Sequence, residues 1–262
     1  MAVRRRPARR APGQHFLRSS RLARDLVSDA NLRDAELVVD LGAGTGVLTH
    51  ALAEHGARVV AVEMDPALTA QLRQRFANTK RVTVVEADVR RFGWPEESFS
   101  VVANLPFSGS GAMLDHLLHD PAVPLRVAHV IVQWELAAKH AAVWPATARG
   151  TYWKAWYELS ISRRLSRSAF SPVPSVDAAV LRIERRRVPY VAPEAHDPYH
   201  RFLTEAFAAR APLARGLRRR LTSVQLRRQA DVLGFSPAAL PRDLDARQWA
   251  CLFAFSRAHS LP

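Results

Sequence analysis

From residue 37 onward, short apolar runs rich in β-branched side chains alternate with stretches whose apolar positions recur at helical spacing. The runs at 37–41, 58–63, 82–86, 99–104 and 127–133 predict five strands. Between them, 46–55, 66–77 and 111–119 predict helices, the second opened by Pro66 at a first turn where a missing N–H costs nothing. Strand and helix taking turns in this way is the pattern of a parallel, doubly wound sheet. Two further strands, near 157–164 and 176–185, follow without a helix between them and predict a hairpin-like antiparallel pair at one edge, for a seven-stranded sheet.

Past Arg187 the pattern changes. Pro189, Pro193 and Pro198 mark a linker, and 199–260 shows helical spacing with no strand signal. The expected organisation is a basic arm over 1–12, an α/β domain over 13–187 and a small all-helical domain over 188–262. No internal repeat interrupts it.

Composition sharpens this picture. The chain has 262 residues, 48% of them hydrophobic and 24% charged, which is the balance of a folded globular protein. Its lone cysteine, Cys251, allows neither an intrachain disulfide nor a thiolate cluster, and fits a reducing compartment. No apolar run approaches the ~18 residues of a membrane span, and the Arg-rich start lacks an apolar core like that of a secretory signal, so a cytoplasmic protein without membrane contact is expected.

The net charge of +14 is unevenly distributed. Residues 1–24 carry +8, 201–262 carry +7, and the stretch between them is near neutral at −1. A neutral body with two basic ends suits a catalytic core flanked by surfaces for a polyanion. All but three of the basic residues are arginine, which favours planar, bidentate phosphate binding and equally fits a GC-rich genome. Arg4, Arg5, Arg6, Arg9 and Arg10 in the arm, with Arg215, Arg218, Arg219 and Arg220 in the tail, are the candidate contacts for that polyanion.

Asp40-Leu41-Gly42-Ala43-Gly44-Thr45-Gly46 joins the first strand to the first helix, where an α/β sheet binds nucleotide-like ligands. Glycines there allow close approach of ligand to backbone. A dinucleotide fingerprint needs its third glycine one residue later, at Val47, which counts against NAD. No Gly-Lys-Ser/Thr follows, which excludes a P-loop. Glu63, ending the second strand, is placed to accept from ribose hydroxyls, and Asp88, just past the third, from an exocyclic amine. A glycine turn with an acid after each of the next two strands makes a site for an adenosine without a pyrophosphate, and S-adenosylmethionine fits.

The fourth strand ends in Asn104-Leu105-Pro106-Phe107. The Asn104 side-chain oxygen and the Leu105 carbonyl can accept from an exocyclic NH₂ and turn its lone pair toward a methyl donor, while Phe107 stacks on an extruded ring. Positioning supplies most of the rate in such chemistry, because the proton becomes acidic once the nitrogen is alkylated.

With these motifs the chain resembles the rRNA adenine N6-methyltransferases, specifically the Erm type that confers resistance to macrolides, lincosamides and streptogramin B, from Gly13 to the helical tail. Gly13-Gln14-His15-Phe16-Leu17 is similar to the family's N-terminal cofactor motif, with His15 where Asn is common. The stretch from Phe170 to Asp177 is similar to its Phe-x-Pro-x-Pro-x-Val-Asp segment. The resemblance implies a Rossmann-like class I methyltransferase fold with S-adenosylmethionine as cofactor and S-adenosylhomocysteine as product. It implies that His15 and Leu17 touch the methionine end of the cofactor, that Gly42 and Gly44 lie under it, and that Glu63 holds the ribose and Asp88 the adenine. Asn104 would border both cofactor and target base, and Phe107 and Phe170 would stack on that base. The implied substrate is one adenine in the peptidyl-transferase region of 23S rRNA, methylated at N6 once or twice before or during large-subunit assembly, by a monomer.

Three other readings stay open. The sister group dimethylates two adjacent adenines of 16S rRNA with nearly the same core motifs, although it usually has Tyr where this chain has Phe107. A non-catalytic RNA-binding relative would lose the cofactor residues, and a small-molecule methyltransferase would not need the basic ends. His116 with His119, and His196 with His200, have chelating spacings without an acidic or thiolate partner, so no metal is expected. The aromatics Trp134, Trp144, Tyr152, Trp153, Trp156 and Tyr157 read as core.

Overall fold

The computed structural model describes residues Gln14 to His259; the predicted arm, with Arg4, Arg5, Arg6, Arg9 and Arg10, lies outside the described residues. The chain begins with β1 (Phe16–Leu17) and α1 (Ser20–Asp29), where the Ser19 hydroxyl accepts from Leu22 N–H at the helix start. The central alternation follows as β2 (Leu37–Leu41), α2 (Val47–His55), β3 (Arg58–Glu63), α3 (Pro66–Arg75) and β4 (Val82–Glu86). It continues as β5 (Phe99–Asn104), α4 (Ser110–Leu118) and β6 (Leu125–Gln133). Two helices not expected from the sequence, α5 (Trp134–Ala141) and α6 (Ala148–Lys154), precede β7 (Tyr157–Leu165). After β8 (Phe170–Ser171) and β9 (Ala178–Arg185) the chain is helical: α7 (His196–Ala208), α8 (Leu213–Gly216), α9 (Ser223–Leu233) and α10 (Ala246–Ala258).

The seven-stranded sheet runs β4-β3-β2-β5-β6-β9-β7, so the two late strands do lie together at one edge. Strands β4 to β6 pair in parallel, with Asp40 opposite Ala61, Glu63 opposite Glu86 and Asn104 opposite Ile131. All five residues of β2 are buried, as expected for a central parallel strand covered on both faces. This register sets the ends of β2, β3 and β5 side by side, which is how the Gly42 turn, Glu63 and Asn104 come together. A separate two-stranded ladder, β1 with β8, pairs Phe16 with Ser171 and Leu17 with Phe170.

One polar network ties three strands below the site. Glu36, just ahead of β2, accepts from Ser100 Oγ of β5 at 2.5 Å and from Arg126 Nε and Nη2 of β6 at 2.7 Å each, and also from Arg33 N–H. Burial, the largest influence on Glu36, pushes its pKa up, but the hydrogen bonds from Arg126 and Ser100 outweigh it and hold the carboxyl below its ordinary value.

The chain divides into two compact units. The first comprises residues up to 117 with 123–137 and 161–182; the second comprises 118–122, 138–160 and 183 onward. The expected boundary at 187 therefore lies five residues beyond the division at 182, and the expected assignment of all of 13–187 to one domain is corrected by 118–122 and 138–160, which join the helices. In the second unit these helices close around aromatic side chains: Tyr199 lies 5.1 Å from Phe253 and Phe202 lies 6.0 Å from Trp249, ring to ring.

Candidate active site

The turn after β2 is built on positive backbone angles, with φ of +70° at Gly42, +57° at Gly44 and +77° at Gly46. Gly42 and Ala43 N–H both donate to Val62 O at the end of β3, at 2.8 and 3.0 Å. A Cβ at Gly42 would stand 3.5 Å from Pro106 Cδ and 4.0 Å from Asn104 O, so the turn directly faces the loop after β5. A Cβ at Gly44 would collide with the Phe16 ring at 2.7 Å.

Glu63 fixes the turn. Its buried carboxylate accepts from Gly44 N–H on Oε2 at 2.8 Å, and from Met64 and Asp65 N–H on Oε1 at 2.9 Å each. Beneath the turn Asp40 is also buried and accepts from Thr49 Oγ1 at 2.6 Å. Burial first, and then the charge of Glu63, push its carboxyl up to about 7 against the opposing pull of Thr49.

Asp88 departs from its expected role. Its carboxylate takes Arg90 N–H and is clasped by the Arg90 guanidinium, with Nη2 at 2.6 Å from Oδ2. These bonds hold it down to about 2 and turn it into the cap of a short 3₁₀ turn, Val89–Arg91. The neighbouring Val89 lines the cleft instead, and its apolar side chain suits the face of a purine.

At the end of β5, Asn104 Nδ2 donates to His15 O at 2.7 Å, which fixes the amide orientation. Its Oδ1 is buried with no hydrogen-bond partner, an acceptor held ready at a cost of about 1–3 kcal/mol if left unused. His15 Nδ1 donates to Pro172 O at 2.7 Å, and its ring leans on Phe107 at 5.1 Å. His15 thus joins the N-terminal segment, the loop after β5 and the 170–177 loop. Leu105 N–H donates to Ile131 O at 3.2 Å and its side chain is core.

Two expected contacts are corrected. Phe170 is fully buried and meets Phe107 edge to face, with centroids 6.0 Å apart and planes at 68°. It braces Phe107 and offers no stacking face of its own in this conformation; Phe107 is itself only 8% exposed. Leu17 packs its side chain into the hydrophobic core, because its place in the β1–β8 ladder turns it inward, and only its backbone remains for a ligand.

His15, Phe16, Gly42, Glu63, Val89 and Asn104 line one common cleft. Sequence reasoning missed Met64, Met113 and Pro106 in its wall. Met64 follows Glu63 directly and is 56% exposed, an anomaly for methionine that only the structure reveals. The residues forming the wall suit S-adenosylmethionine. Acceptors stand at Glu63 and Asn104, apolar faces at Met64 and Val89, and among the described residues of the wall there is no Lys or Arg to grip a pyrophosphate.

In the second unit, Arg215, Arg218 and Arg219 are exposed, and with Arg220 they line one groove. Arg220 is committed to Glu205 through two bonds, Nε at 2.9 Å and Nη2 at 2.7 Å. Arg201 and Arg257, not singled out from the sequence, share a second groove with Arg219 and Arg220. Among the described residues no group of three His, Cys, Asp or Glu side chains is arranged to hold a metal, and no helix is long and apolar enough to cross a membrane.

The sequence profile of the ribosomal RNA adenine dimethylase family matches residues 6–250. The mycinamicin-resistance protein MyrB of Micromonospora griseorubida is 34% identical over 250 residues, covering 94% of this chain and 78% of its own length. Ribosomal RNA small subunit methyltransferase A of Synechococcus sp. (strain JA-3-3Ab) is 33% identical over 253 residues, covering 92% and 90%. Among solved structures, the 23S rRNA methyltransferase ErmE superposes with a TM-score of 0.79 at 27% identity, over 91% of this chain and 98% of that one.

Proposed function

The chain belongs to the ribosomal RNA adenine dimethylase family, and from that premise we propose that it methylates N6 of a single adenine in the peptidyl-transferase region of 23S rRNA, conferring macrolide, lincosamide and streptogramin B resistance. It acts on the RNA in the cytoplasm, before or during large-subunit assembly. The observation that carries this reading is the Asn104 amide, locked through Nδ2 with its Oδ1 buried and unpaired beside the Gly42 turn.

S-adenosylmethionine, when bound, supplies an electrophilic methyl group. Glu63 would hold the ribose hydroxyls, Met64 and Val89 would flank the adenine, and the Gly42 turn would support the remainder. Asn104 Oδ1 accepts one N6–H of the target adenine, and the Leu105 carbonyl region receives the other. Fixing both hydrogens would aim the nitrogen lone pair at the methyl group that the cofactor would supply. The alkylated nitrogen then sheds its proton to solvent without a dedicated base. Phe107, braced by Phe170 and His15, borders the extruded ring.

Arg215, Arg218 and Arg219 hold the RNA backbone, and affinity falls steeply with salt because counterions released into a more concentrated solution gain less entropy. A second reading, dimethylation of two adjacent adenines in 16S rRNA, is favoured by the small-subunit enzyme of Synechococcus; against it stands Phe107 where that group usually has Tyr. Methyl transfer to protein-free 23S and 16S rRNA, with the modified base mapped by reverse-transcription arrest and Asn104→Ala beside the wild type, separates the two. A stop at one peptidyl-transferase adenine, lost in the variant, is expected. Label in two adjacent 16S adenines would move the enzyme to the sister activity.

A further inference from the structure

The six sequence-flagged aromatics around 134–157 do not behave alike. Tyr152, Trp153, Trp156 and Tyr157 are buried, whereas Trp144 is 61% exposed and its neighbour Val143 is 66% exposed. Both stand at the tip of the loop joining α5 to α6, within the second unit.

This tip rests on a built foot. The buried Lys154 donates from Nζ to Ala142 O at 2.7 Å. Thr147 caps α6, accepting from Gly150 N–H on its hydroxyl, and Thr151 Oγ1 donates to its carbonyl. Pro145 is buried against Gly150, where a Cβ would meet both Pro145 and His140 at 3.4 Å. His140 in turn packs its ring on Trp153 at 4.7 Å. The indole is thus held out into solvent by a fixed support, although burying it would remove a large apolar area from water. Trp144 and Ala146 form one wall of an open cleft whose far wall is the stretch from Gly234 to Arg242.

Basic side chains stand around the loop. Lys139, Arg149 and Arg242 are exposed around the loop, and Lys154 lies beneath it. His140 senses this field: burial first, and then Lys139, Arg149 and Lys154, push its imidazole down to about 4. The cleft itself also carries two acids, Asp243 and Asp245, which accept from Leu240 and Gln248 N–H as caps and keep their negative charge.

We propose that Trp144 is a stacking platform for an unpaired nucleobase of the RNA substrate, with Lys139, Arg149 and Arg242 drawing in the flanking phosphates. A flat aromatic on a fixed support with basic side chains nearby suits single-stranded nucleic acid, since every base offers a π-face. The inference rests on the proposed RNA substrate and adds a second contact point apart from the extruded adenine.

The test is equilibrium binding of the full chain to a 23S rRNA fragment containing the peptidyl-transferase loop, beside a fully paired RNA duplex of equal length. Trp144→Ala is expected to weaken binding to the looped fragment about 5- to 150-fold, the effect of losing one stacked base. Binding to the duplex and to S-adenosylhomocysteine stays unchanged, and Trp144→Phe restores most of the loss. Undiminished binding by Trp144→Ala, or equal losses on loop and duplex, would overturn the platform. A wild-type dimer in sedimentation that Trp144→Ala disperses would also overturn it and assign the face to a second copy. If Trp144→Ala loses the looped fragment selectively while the wild type methylates neither rRNA, the platform stands and the substrate reading falls.

Discussion

Replacing Glu63 by Gln keeps the shape of the side chain and halves its capacity to accept. The carboxylate takes Gly44 N–H on one oxygen and Met64 and Asp65 N–H on the other. An amide has a single carbonyl oxygen. Turned toward Met64 and Asp65, it sets its NH₂ against Gly44 N–H; turned the other way, it leaves two donors facing a third. The better orientation loses a charge-assisted hydrogen bond, about 1.5–3 kcal/mol, and strands a buried N–H, about 1–3 kcal/mol. Part of this is offset, because removing the charge of Glu63 eases the ionisation of Asp40. A net destabilisation of about 2–4 kcal/mol results, equivalent to a drop in Tm of roughly 5–10 °C for a chain of this size. The same change frees the Gly44 turn, so affinity for S-adenosylhomocysteine falls at least about tenfold, or about 1.4 kcal/mol. Urea denaturation and titration calorimetry on the two proteins measure both quantities. A variant that unfolds within about 0.5 kcal/mol of the wild type, the range of a neutral surface change, would refute the reasoning.

Asp40, pushed up to about 7, keeps in the native state a proton that the unfolded chain releases near pH 4, so its contribution declines by about 1.4 kcal/mol per pH unit between those values. Asp40→Asn, which can still accept from Thr49, is expected to flatten the decline and gain stability at pH 8; denaturation midpoints that run parallel from pH 5 to 8 in both proteins would contradict this. Glu36 has the opposite sign, since its lowered pKa stabilises the fold above its ordinary value and that support is lost as pH falls through the folded value. Arg126→Ala strands its buried charge, costs about 3–5 kcal/mol and moves the acid unfolding midpoint upward, read by circular dichroism; an unmoved midpoint counts against the network. Gly44→Ala places a Cβ against Phe16 at φ +57° and is expected to cost about 1–2 kcal/mol and weaken cofactor binding, whereas unaltered calorimetric affinity would show that the turn tolerates a side chain.

The central strands were legible because their residues are apolar on both faces, a signal that needs no partner to be recognised. Four of them match the expected bounds, and β6 starts two residues early, at Leu125, in register with Phe99. The helix α1 escaped notice although Ala23, Leu26 and Val27 form a well-defined apolar stripe between Arg and Asp. In α6 a glycine, a threonine and two aromatics hide a helix that is held by tertiary burial. The two-residue strands β1 and β8 have no periodicity to read. Within the site, Gly42, Glu63 and Asn104 were legible because their backbone or hydrogen-bonding chemistry is peculiar to the position. Met64 and Val89 carry no such chemistry, and the packing of Phe170 against Phe107 depends on which surface the fold brings opposite.

The bonds that aim Asn104 also determine when in the life of the chain the site can exist. His15 and Pro172 are 157 residues apart, and His15 and Asn104 are 89 apart. On the ribosome, at about 5–20 residues per second, the N-terminal segment waits roughly 8–30 s for its partner β8 to be synthesised. Closing so long a loop is entropically unrewarded until the sheet has already brought its ends near. The strands β2 to β5 can therefore assemble while the Asn104 amide still lacks its clamp, and on the proposed role of Asn104 methyl transfer waits until the late loop has docked. Activity is a late event of folding, and slow refolding of the enzyme should restore its sheet before it restores its chemistry.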